Sequence, residues 1–194
     1  MITYTMDGNF IKDPEILYEG NDFFRKMTTS IVEKKICEII MKHDHKNIIK
    51  IYCVGKDYVD MELLNTDISK GEMSKIKNVM VEVKTYLQNL GIIYIDWKLD
   101  NIGISEDNQF KLFDFDASGL IDIETNEWII RAPLYWSHKE AIKNGMETPF
   151  DIDNCAFDIR LKTNMNKIKK NSGTLCGCIF AKWLNFHSQI KPFW

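Results

Sequence analysis

The feature that most constrains this chain is the segment 94–116, in which polar residues surround two short apolar runs at 102–104 and 110–113. The residues between the runs, 106–109, are polar and favour a turn because their side chains can bond to nearby backbone groups. Two apolar runs joined by such a turn predict a β-hairpin with antiparallel strands. The side chains at the open end of this hairpin can therefore share one site.

The open end of the predicted hairpin carries an amide and a carboxylate, Asn101 and Asp114. With the turn centred between residues 107 and 108, Asn101 lies opposite Asp114 and Ile104 lies opposite Lys111. Mg²⁺ prefers oxygen ligands and takes few of them from protein, because phosphates and water complete its octahedron. The sequence therefore predicts a magnesium site at Asn101 and Asp114, which a one-residue change of register would disrupt.

Two charged side chains precede the first strand of the hairpin, Asp96 and Lys98. A carboxylate at this place can accept a proton from an incoming hydroxyl. An ammonium beside it can neutralise charge on a phosphoryl group in transfer. Together with the magnesium pair, these residues predict a phosphoryl-transfer site.

Two motifs in this region resemble those of one family. Residues 94–101, YIDWKLDN, resemble the catalytic loop H-R-D-L-K-P-E-N of eukaryotic-type protein kinases, and residues 114–116, DFD, resemble D-F-G at the expected distance downstream. The resemblance implies that Asp96 and Lys98 are catalytic, that ATP is the phosphoryl donor and that Mg²⁺ is the cofactor.

The resemblance also implies the fold. We expect an α+β, protein kinase-like bilobal fold in a single domain, 1–194. Residues 1–64 would form a small N-lobe β-sheet with helix C and the hinge, and residues 65–194 a shortened, mostly helical C-lobe. Apolar residues recur at helical spacing through 72–89 and end at Gly91, which suits a helix followed by a left-handed cap. This helix matches helix E of the family.

Upstream segments resemble the region around the nucleotide in kinases. Residues 45–52, HKNIIKIY, are similar to the H-P-N-I-V-x-x-Y segment after helix C, and residues 58–64, YVDMELL, are similar to the strand that enters the hinge. The resemblance makes Met61 the gatekeeper. It assigns the backbone around Glu62 and Leu64 to adenine binding.

The family holds the α- and β-phosphates with a lysine on the third strand, positioned by a glutamate of helix C. Lys26 is our candidate, and Arg25 is the alternative because strand alternation turns one of the two inward. Helix C is predicted at 31–42, where Glu33 and Glu38 are both available. The spacing to the following segment favours Glu38.

Downstream segments resemble the family more loosely. Residues 132–140 are similar to the T-P-x-Y-x-S-P-E end of an activation segment, with Glu140 matching after a one-residue insertion. Residues 151–157 are similar to the start of helix F, whose acidic residue braces the catalytic loop. Either Asp151 or Asp153 can fill that role.

Several family features are replaced. No G-x-G-x-x-G precedes the candidate lysine, since Gly8 and Gly20 are the only glycines upstream of it. Tyr94 replaces histidine, and Ile95 replaces the arginine that pairs with a phosphorylated activation loop, so we expect no such switch. Asp116 replaces glycine, where it either tolerates an unusual backbone turn or adds a carboxylate near the metal.

Composition is that of an ordinary globular protein, with 45% hydrophobic and 27% charged residues. The net charge of −3 argues against a nucleic-acid partner, and the lysine-rich segment 162–170 reads as a solvated face. No apolar run reaches the roughly 20 residues of a membrane span and no signal peptide opens the chain, so we expect no membrane partner and an intracellular, cytoplasmic location.

Five scattered cysteines indicate reduced thiols. The aromatic tail 174–194 predicts a final amphipathic helix.

These observations favour a protein serine/threonine kinase that transfers the ATP γ-phosphate to a protein hydroxyl with Mg²⁺, because Lys98 resembles the serine/threonine class. One alternative is a pseudokinase that acts as a scaffold or regulator, which the missing glycine-rich loop favours. A second is a small-molecule phosphotransferase, which shares the same aspartate and asparagine chemistry. The pruned form and the many Ile, Lys and Asn residues fit a small genome, such as that of a large DNA virus.

Overall fold

The computed structural model describes residues 23–68, 73–133 and 136–161. Several sequence features lie outside the described residues: Gly8, Gly20, position 72, and the segments 162–170 and 174–194.

A three-stranded antiparallel sheet forms the N-lobe, with β1 (Phe23–Met27), β2 (Ile51–Val54) and β3 (Tyr58–Glu62) in the order β1-β3-β2. Successive side chains of a strand point to opposite faces, so Arg25 and Lys26 diverge. Arg25 donates from Nε and Nη2 to the two carboxylate oxygens of Asp60 at 2.6 and 2.7 Å. Lys26 is thereby the residue left to face the site.

Helix α1 (Ile31–Lys42) lies where the sequence predicts helix C. The Ser30 side chain caps it by accepting a hydrogen bond from the backbone of Glu33 at 3.2 Å. Its buried side consists of Glu33, Ile36, Cys37 and Ile40. This i, i+3, i+4, i+7 pattern brings one carboxylate into an otherwise apolar stripe.

Backbone hydrogen bonds join the N-lobe and hinge to the C-lobe. After β3, the N–H and C=O of Asn65 exchange bonds with Ile104 at 2.9 and 2.7 Å. The loop before β2 is anchored in the same way, because Leu112 donates to the Asn47 carbonyl at 2.9 Å and Ile49 donates to the Leu112 carbonyl at 2.9 Å. The two lobes therefore meet through the hairpin predicted above.

Helix α2 (Met73–Asn89) confirms the predicted helix E. Its buried side chains are Ile76, Met80, Val83 and Leu87. Gly91 follows with φ +71°, and the Gly91 N–H donates to the Gln88 carbonyl at 3.0 Å. The left-handed glycine ends the helix, as its position predicts. The chain then continues into strand β4 (Ile92–Ile93).

The hairpin forms from β5 (Ile102–Ile104) and β6 (Phe110–Leu112), but its register differs from the expected one by one residue. Ile104 pairs with Phe110, and Gly103 pairs with Lys111. The reason lies in the turn, where Asn108 adopts φ +59° and the Ser105 N–H donates to the Gln109 carbonyl at 3.0 Å. The turn is therefore centred on residue 107, and Asn101 does not lie opposite Asp114.

A further sheet follows that the sequence analysis did not predict. Strands β7 (Gly119–Asp122) and β8 (Glu127–Ile130) form a hairpin, and β7 also pairs with β4. A Cβ at Gly119 would lie 2.5 Å from the Trp128 ring and 2.7 Å from the Ala132 backbone nitrogen. Only glycine lets the strands and the Trp128 ring approach this closely.

Helices α3 (Trp136–Lys143) and α4 (Pro149–Ala156) complete the described C-lobe, and α4 continues into the π-helical segment Phe157–Leu161. Trp97 is fully buried between the rings of Tyr94 and Phe157, with centroids 4.8 and 5.0 Å away. The architecture is the predicted α+β bilobal one. In the described ranges, no helix has both the length and the apolar character required to cross a bilayer.

Candidate active site

The first half of the site is built by the loop between β4 and the 3₁₀ turn Leu99–Asn101. Asp96 is 5% exposed. The Lys98 ammonium forms an ion pair with the Oδ2 atom of Asp96. Asn101 donates from Nδ2 to the same Oδ2 and to the Asp96 carbonyl, both at 3.1 Å. One ammonium and one amide of the same loop thus fix the position of the Asp96 carboxylate.

The second half of the site joins three distant elements. Lys26 of β1 donates from Nζ to Oδ1 of Asp114 at 2.6 Å and to Oε1 of Glu33 at 2.5 Å. Burial opposes the charged form of Lys26, but the carboxylates of Asp114 and Glu33 outweigh it and raise the pKa of the ammonium. Lys26 is therefore held as a cation at the junction of the lobes.

The glutamate of α1 that reaches Lys26 is Glu33, which corrects the expectation that Glu38 is the partner. Five residues separate the two glutamates, which places them about 140° apart around a helix of 3.6 residues per turn. Glu33 shares the buried stripe, whereas Glu38 is exposed to solvent. The position of each glutamate on the helix face, rather than its distance along the chain, selects the partner.

The carboxylate of Asp114 reaches Lys26 through a special backbone conformation. In the observed register the Phe113 N–H donates to the Asn101 carbonyl at 3.0 Å, so continued strand alternation would turn Asp114 away from Asn101. Asp114 instead adopts φ +66°. Aspartate tolerates this left-handed region better than most residues. Asn101 and Asp114 are therefore not the cross-strand partners that the sequence predicts, although both lie beside the Tyr94 side chain.

The loop around Asp96 is braced from α4 by Asp153, which is 1% exposed. Its Oδ1 atom accepts hydrogen bonds from Trp97 Nε1 at 2.7 Å and from the Ile95 N–H at 3.2 Å. Gln88 Nε2 donates to Oδ2 at 2.8 Å. Ile95 has φ +62°, a strained conformation for a β-branched residue, and this network holds it there. Asp151 is exposed, and its carboxylate accepts a hydrogen bond from the hydroxyl of the N-cap residue Thr148. Of the two predicted candidates, Asp153 is therefore the brace.

The donor set suits a hard cation. Asn101 commits its amide nitrogen to Asp96, which leaves the amide oxygen as its ligand atom, and Asp114 supplies a carboxylate. Among the described residues, no three His, Cys, Asp or Glu side chains converge as a complete metal site. A cation held by Asn101 and Asp114 would therefore need ligands from a bound nucleotide, which is the manner in which Mg²⁺ binds.

The protein kinase domain family model matches residues 18–156, more than half of the 194 residues. The chain belongs to the protein kinase family. It is similar to the serine/threonine-protein kinase dst2 of Dictyostelium discoideum, with 24% identity over 161 residues. The match covers 74% of this chain and 14% of that relative, so the chain spans only a small part of the relative's length.

In this member of the protein kinase family, Tyr94 takes the place of the histidine of the family motif. Its hydroxyl donates to the Phe113 carbonyl at 2.6 Å, and its ring meets the Phe115 ring edge-on at 5.5 Å. Burial and the nearby carboxylates of Asp114 and Asp96 raise the pKa of Tyr94 well above its usual value. The phenol therefore remains a donor that ties the catalytic loop to the end of the hairpin.

Asp116 stands where the family has glycine. Its side chain reaches the surface, yet partial desolvation and the neighbouring Asp114 carboxylate raise its pKa. The left-handed residue of the motif is Asp114 rather than Asp116. Position 116 thus does not need the backbone freedom of glycine, and an aspartate is tolerated there.

The residues that the resemblance assigns to the hinge lie at the end of β3 and just after it. Met61 is buried in β3, at the position expected for a gatekeeper. The Glu62 N–H donates to the Lys50 carbonyl at 2.9 Å, so this amide belongs to the sheet. The Glu62 carboxylate accepts from Lys111 Nζ at 2.7 and 3.0 Å. Leu64 is half-buried and packs against Gly103, where a Cβ would lie 2.7 Å from the Leu64 Cβ.

Sequence reasoning missed three residues that support the site: Gln88, Lys111 and Asp60. Each acts through a partner that lies far away in the sequence. Gln88 and Asp153 are 65 residues apart, and Lys111 and Glu62 are 49 residues apart. No local pattern marks such pairs. The one feature of the sequence that places Gln88 near the core is its position directly after Leu87, a buried residue of α2.

Proposed function

We propose that this kinase transfers the γ-phosphoryl group of ATP to a serine or threonine hydroxyl of a protein, with Mg²⁺ as cofactor. The observation that carries the proposal is the contact between Lys26 and Asp114 across the lobes, beside the Asp96–Asn101 pair. Phosphoryl transfer depends on positioning and charge stabilisation rather than on covalent chemistry. A fixed cation from the N-lobe in contact with a fixed carboxylate of the C-lobe meets that need.

On the nucleotide side, Lys26 binds the α- and β-phosphates and Glu33 positions its ammonium. When phosphates arrive, the Lys26 ammonium exchanges part of its contact with Asp114 for phosphate oxygens. The backbone of Glu62 and Leu64 faces the adenine, and Met61 limits the depth of its pocket.

On the acceptor side, Asp96 orients the hydroxyl and accepts its proton. Lys98 stabilises negative charge on the transferred group. Asn101 and Asp114 hold the cation. When bound, Mg²⁺ neutralises charge on the phosphate oxygens. The serine/threonine class is supported by Lys98 in the catalytic loop and by the name of the similar Dictyostelium kinase.

The test is Mg²⁺-dependent ATP binding together with γ-phosphate transfer to serine, threonine and tyrosine peptides and to small alcohols. We expect transfer to serine and threonine peptides. Asp96→Asn should lower kcat by about 10² to 10⁴-fold, the usual contribution of a positioned acid or base. Asp114→Asn should weaken Mg²⁺-dependent binding as well as transfer. Asp57→Asn, at an exposed position outside the site, is the matched control and should leave both unchanged.

A second candidate is a non-catalytic scaffold. It is favoured by the lack of a G-x-G-x-x-G before Lys26, which removes the backbone cradle that covers the phosphates in ordinary kinases. ATP binding without transfer to any acceptor would support the scaffold. Transfer to small alcohols alone would support a small-molecule phosphotransferase instead.

A further inference from the structure

The hairpin formed by β7 and β8 carries an unusual charge pattern. Residues 112–130 include five acidic residues and no Lys or Arg. Three of the acidic side chains, Asp122, Glu124 and Glu127, are exposed at the far end of the hairpin. We call these three, with the exposed Ile123 and Ile129, the acidic hairpin face.

The strand register brings two of these carboxylates together. Asp122 and Glu127 are direct partners across the antiparallel pair, and like charges at such positions destabilise a sheet. Asp122 is fixed in place because its Oδ1 accepts hydrogen bonds from the N–H groups of Glu124 at 2.9 Å and Thr125 at 3.1 Å. Within the part of the chain that the structure describes, no ion pair joins Asp122, Glu124 or Glu127 to a cation. A cationic ligand would relieve this repulsion.

Apolar side chains accompany the carboxylates. Ile129 is 67% exposed and Ile123 is 50% exposed. The register shifts between the pairs Leu120–Ile130 and Ile121–Trp128, so Ile129 is the extra residue of a β-bulge. Bulges re-aim side chains and are frequent next to active sites. The acidic hairpin face therefore offers both charge and apolar surface.

The hairpin is connected to the catalytic loop through β4. Gly119 pairs with Ile93, three residues before Asp96, and β7 runs from there towards Asp122. Three residues of strand cover about 10 Å, and the path back from Ile93 to Asp96 is at most about 10 Å, because tight turns at Tyr94 and Ile95 shorten it. An extended peptide of about six residues can span the whole distance.

We propose that the acidic hairpin face docks a basic segment of the protein substrate, in which Lys or Arg residues flank an apolar residue. The basic segment lies about four to eight residues from the phosphorylated hydroxyl, since an extended chain advances by about 3.3 Å per residue. This inference rests on the proposed function, because it assumes that the chain phosphorylates that hydroxyl. Charge complementarity selects the segment, and the isoleucines bind its apolar residue.

The direct test is fluorescence anisotropy with two labelled peptides of equal length, each with one serine. One peptide carries a Lys-Lys-Leu-Lys block six residues from the serine, and the other carries Gln in place of each Lys. The face variant is Asp122→Asn, Glu124→Gln and Glu127→Gln combined. The matched control makes the same charge change at exposed residues elsewhere: Glu38→Gln, Asp57→Asn and Glu82→Gln.

We expect the face variant to bind the lysine peptide about tenfold more weakly, given the size of exposed charge interactions summed over three sites. The control should change binding by less than about twofold. The difference should shrink as salt is raised, since exposed charges are screened. In transfer assays the face variant should raise KM for the lysine peptide and leave kcat unchanged.

The outcomes separate this inference from the proposed function. If the lysine peptide binds through the face but no phosphate is transferred to any acceptor, the docking surface is supported and the kinase activity is wrong. If both peptides are phosphorylated equally and the face variant behaves as wild type, the docking surface is wrong and the activity stands. The last outcome concerns the variant that combines Lys167→Gln, Lys169→Gln and Lys170→Gln. If this variant binds the lysine peptide more tightly than the wild type, the chain's own lysine segment occupies the acidic hairpin face, and the proposal that a substrate docks there is wrong.

Discussion

Replacing Glu33 with Gln removes one of the two carboxylates that hold the Lys26 ammonium. The Nζ–Oε1 distance is 2.5 Å and Glu33 is 2% exposed, so water screens the interaction little. A hydrogen bond to a charged group contributes about 1.5–3 kcal/mol and a neutral one about 0.5–1.5 kcal/mol. We therefore expect Glu33→Gln to lower the free energy of unfolding by about 1–2 kcal/mol. The loss stays below the roughly 3–5 kcal/mol of a buried charge left without a partner, because Asp114 remains.

The matched control is Glu38→Gln, which makes the same chemical change on the exposed side of α1. Its effect should stay within about 0.5 kcal/mol, as for most surface substitutions. The measurement is urea unfolding of the wild type and both variants, with the m-value compared to confirm that the same surface is exposed. Equal losses for the two variants, or a larger loss for Glu38→Gln, would show that the assignment of Glu33 is wrong.

The pH dependence gives the same experiment a second readout. The folded-state pKa of Lys26 is raised, so its stabilisation is fully present below the ordinary lysine value of about 10.4 and is lost as the pH rises through the folded value. The advantage of the wild type over Glu33→Gln should therefore be constant from about pH 7 to pH 9 and decrease only at higher pH. A decrease below pH 9 would mean that another group carries the effect.

Two further substitutions test the supports of the site. Asp153→Asn puts an amide donor against either Trp97 or Gln88, so it should reduce stability by about 2–4 kcal/mol in urea unfolding and lower kcat, whereas Asp151→Asn should change stability by less than about 1 kcal/mol. A similar effect of the two would contradict the brace. Gly119→Ala places a Cβ within 2.8 Å of the Ile130 carbonyl oxygen, so it should lower the free energy of unfolding by about 2–4 kcal/mol and speed proteolysis within β7 and β8. Unchanged stability and an unchanged proteolysis rate would show that the hairpin is wrong.

Local sequence signals predicted those elements that depend on residues close in the chain. The 3.6-residue period predicted α2, and the glycine at position 91 predicted its end. The resemblance to kinases, rather than the period, placed a helix at α1. The hairpin was predicted from its two apolar runs, but its register was not. The left-handed conformation of Asn108 shifts the register by one residue, and a polar turn sequence is compatible with more than one turn.

The β7–β8 hairpin was missed for a different reason. Its strands are short and its turn lacks the Asn-Gly or Asp-Gly pair that marks a two-residue hairpin. The hairpin depends on β4, which gives β7 a second partner, and on the close approach that Gly119 permits. Neither is visible before the chain folds.

By itself, the sequence determined that an aspartate, a lysine and an asparagine stand in one loop, followed by a hairpin and a second aspartate. It also determined the family, since these motifs are contiguous. The tertiary structure alone decided that Glu33 rather than Glu38 meets Lys26 and that Asp153 rather than Asp151 holds the loop. In both pairs the two candidates are chemically the same, and only the face of the helix that is buried against its neighbours separates them.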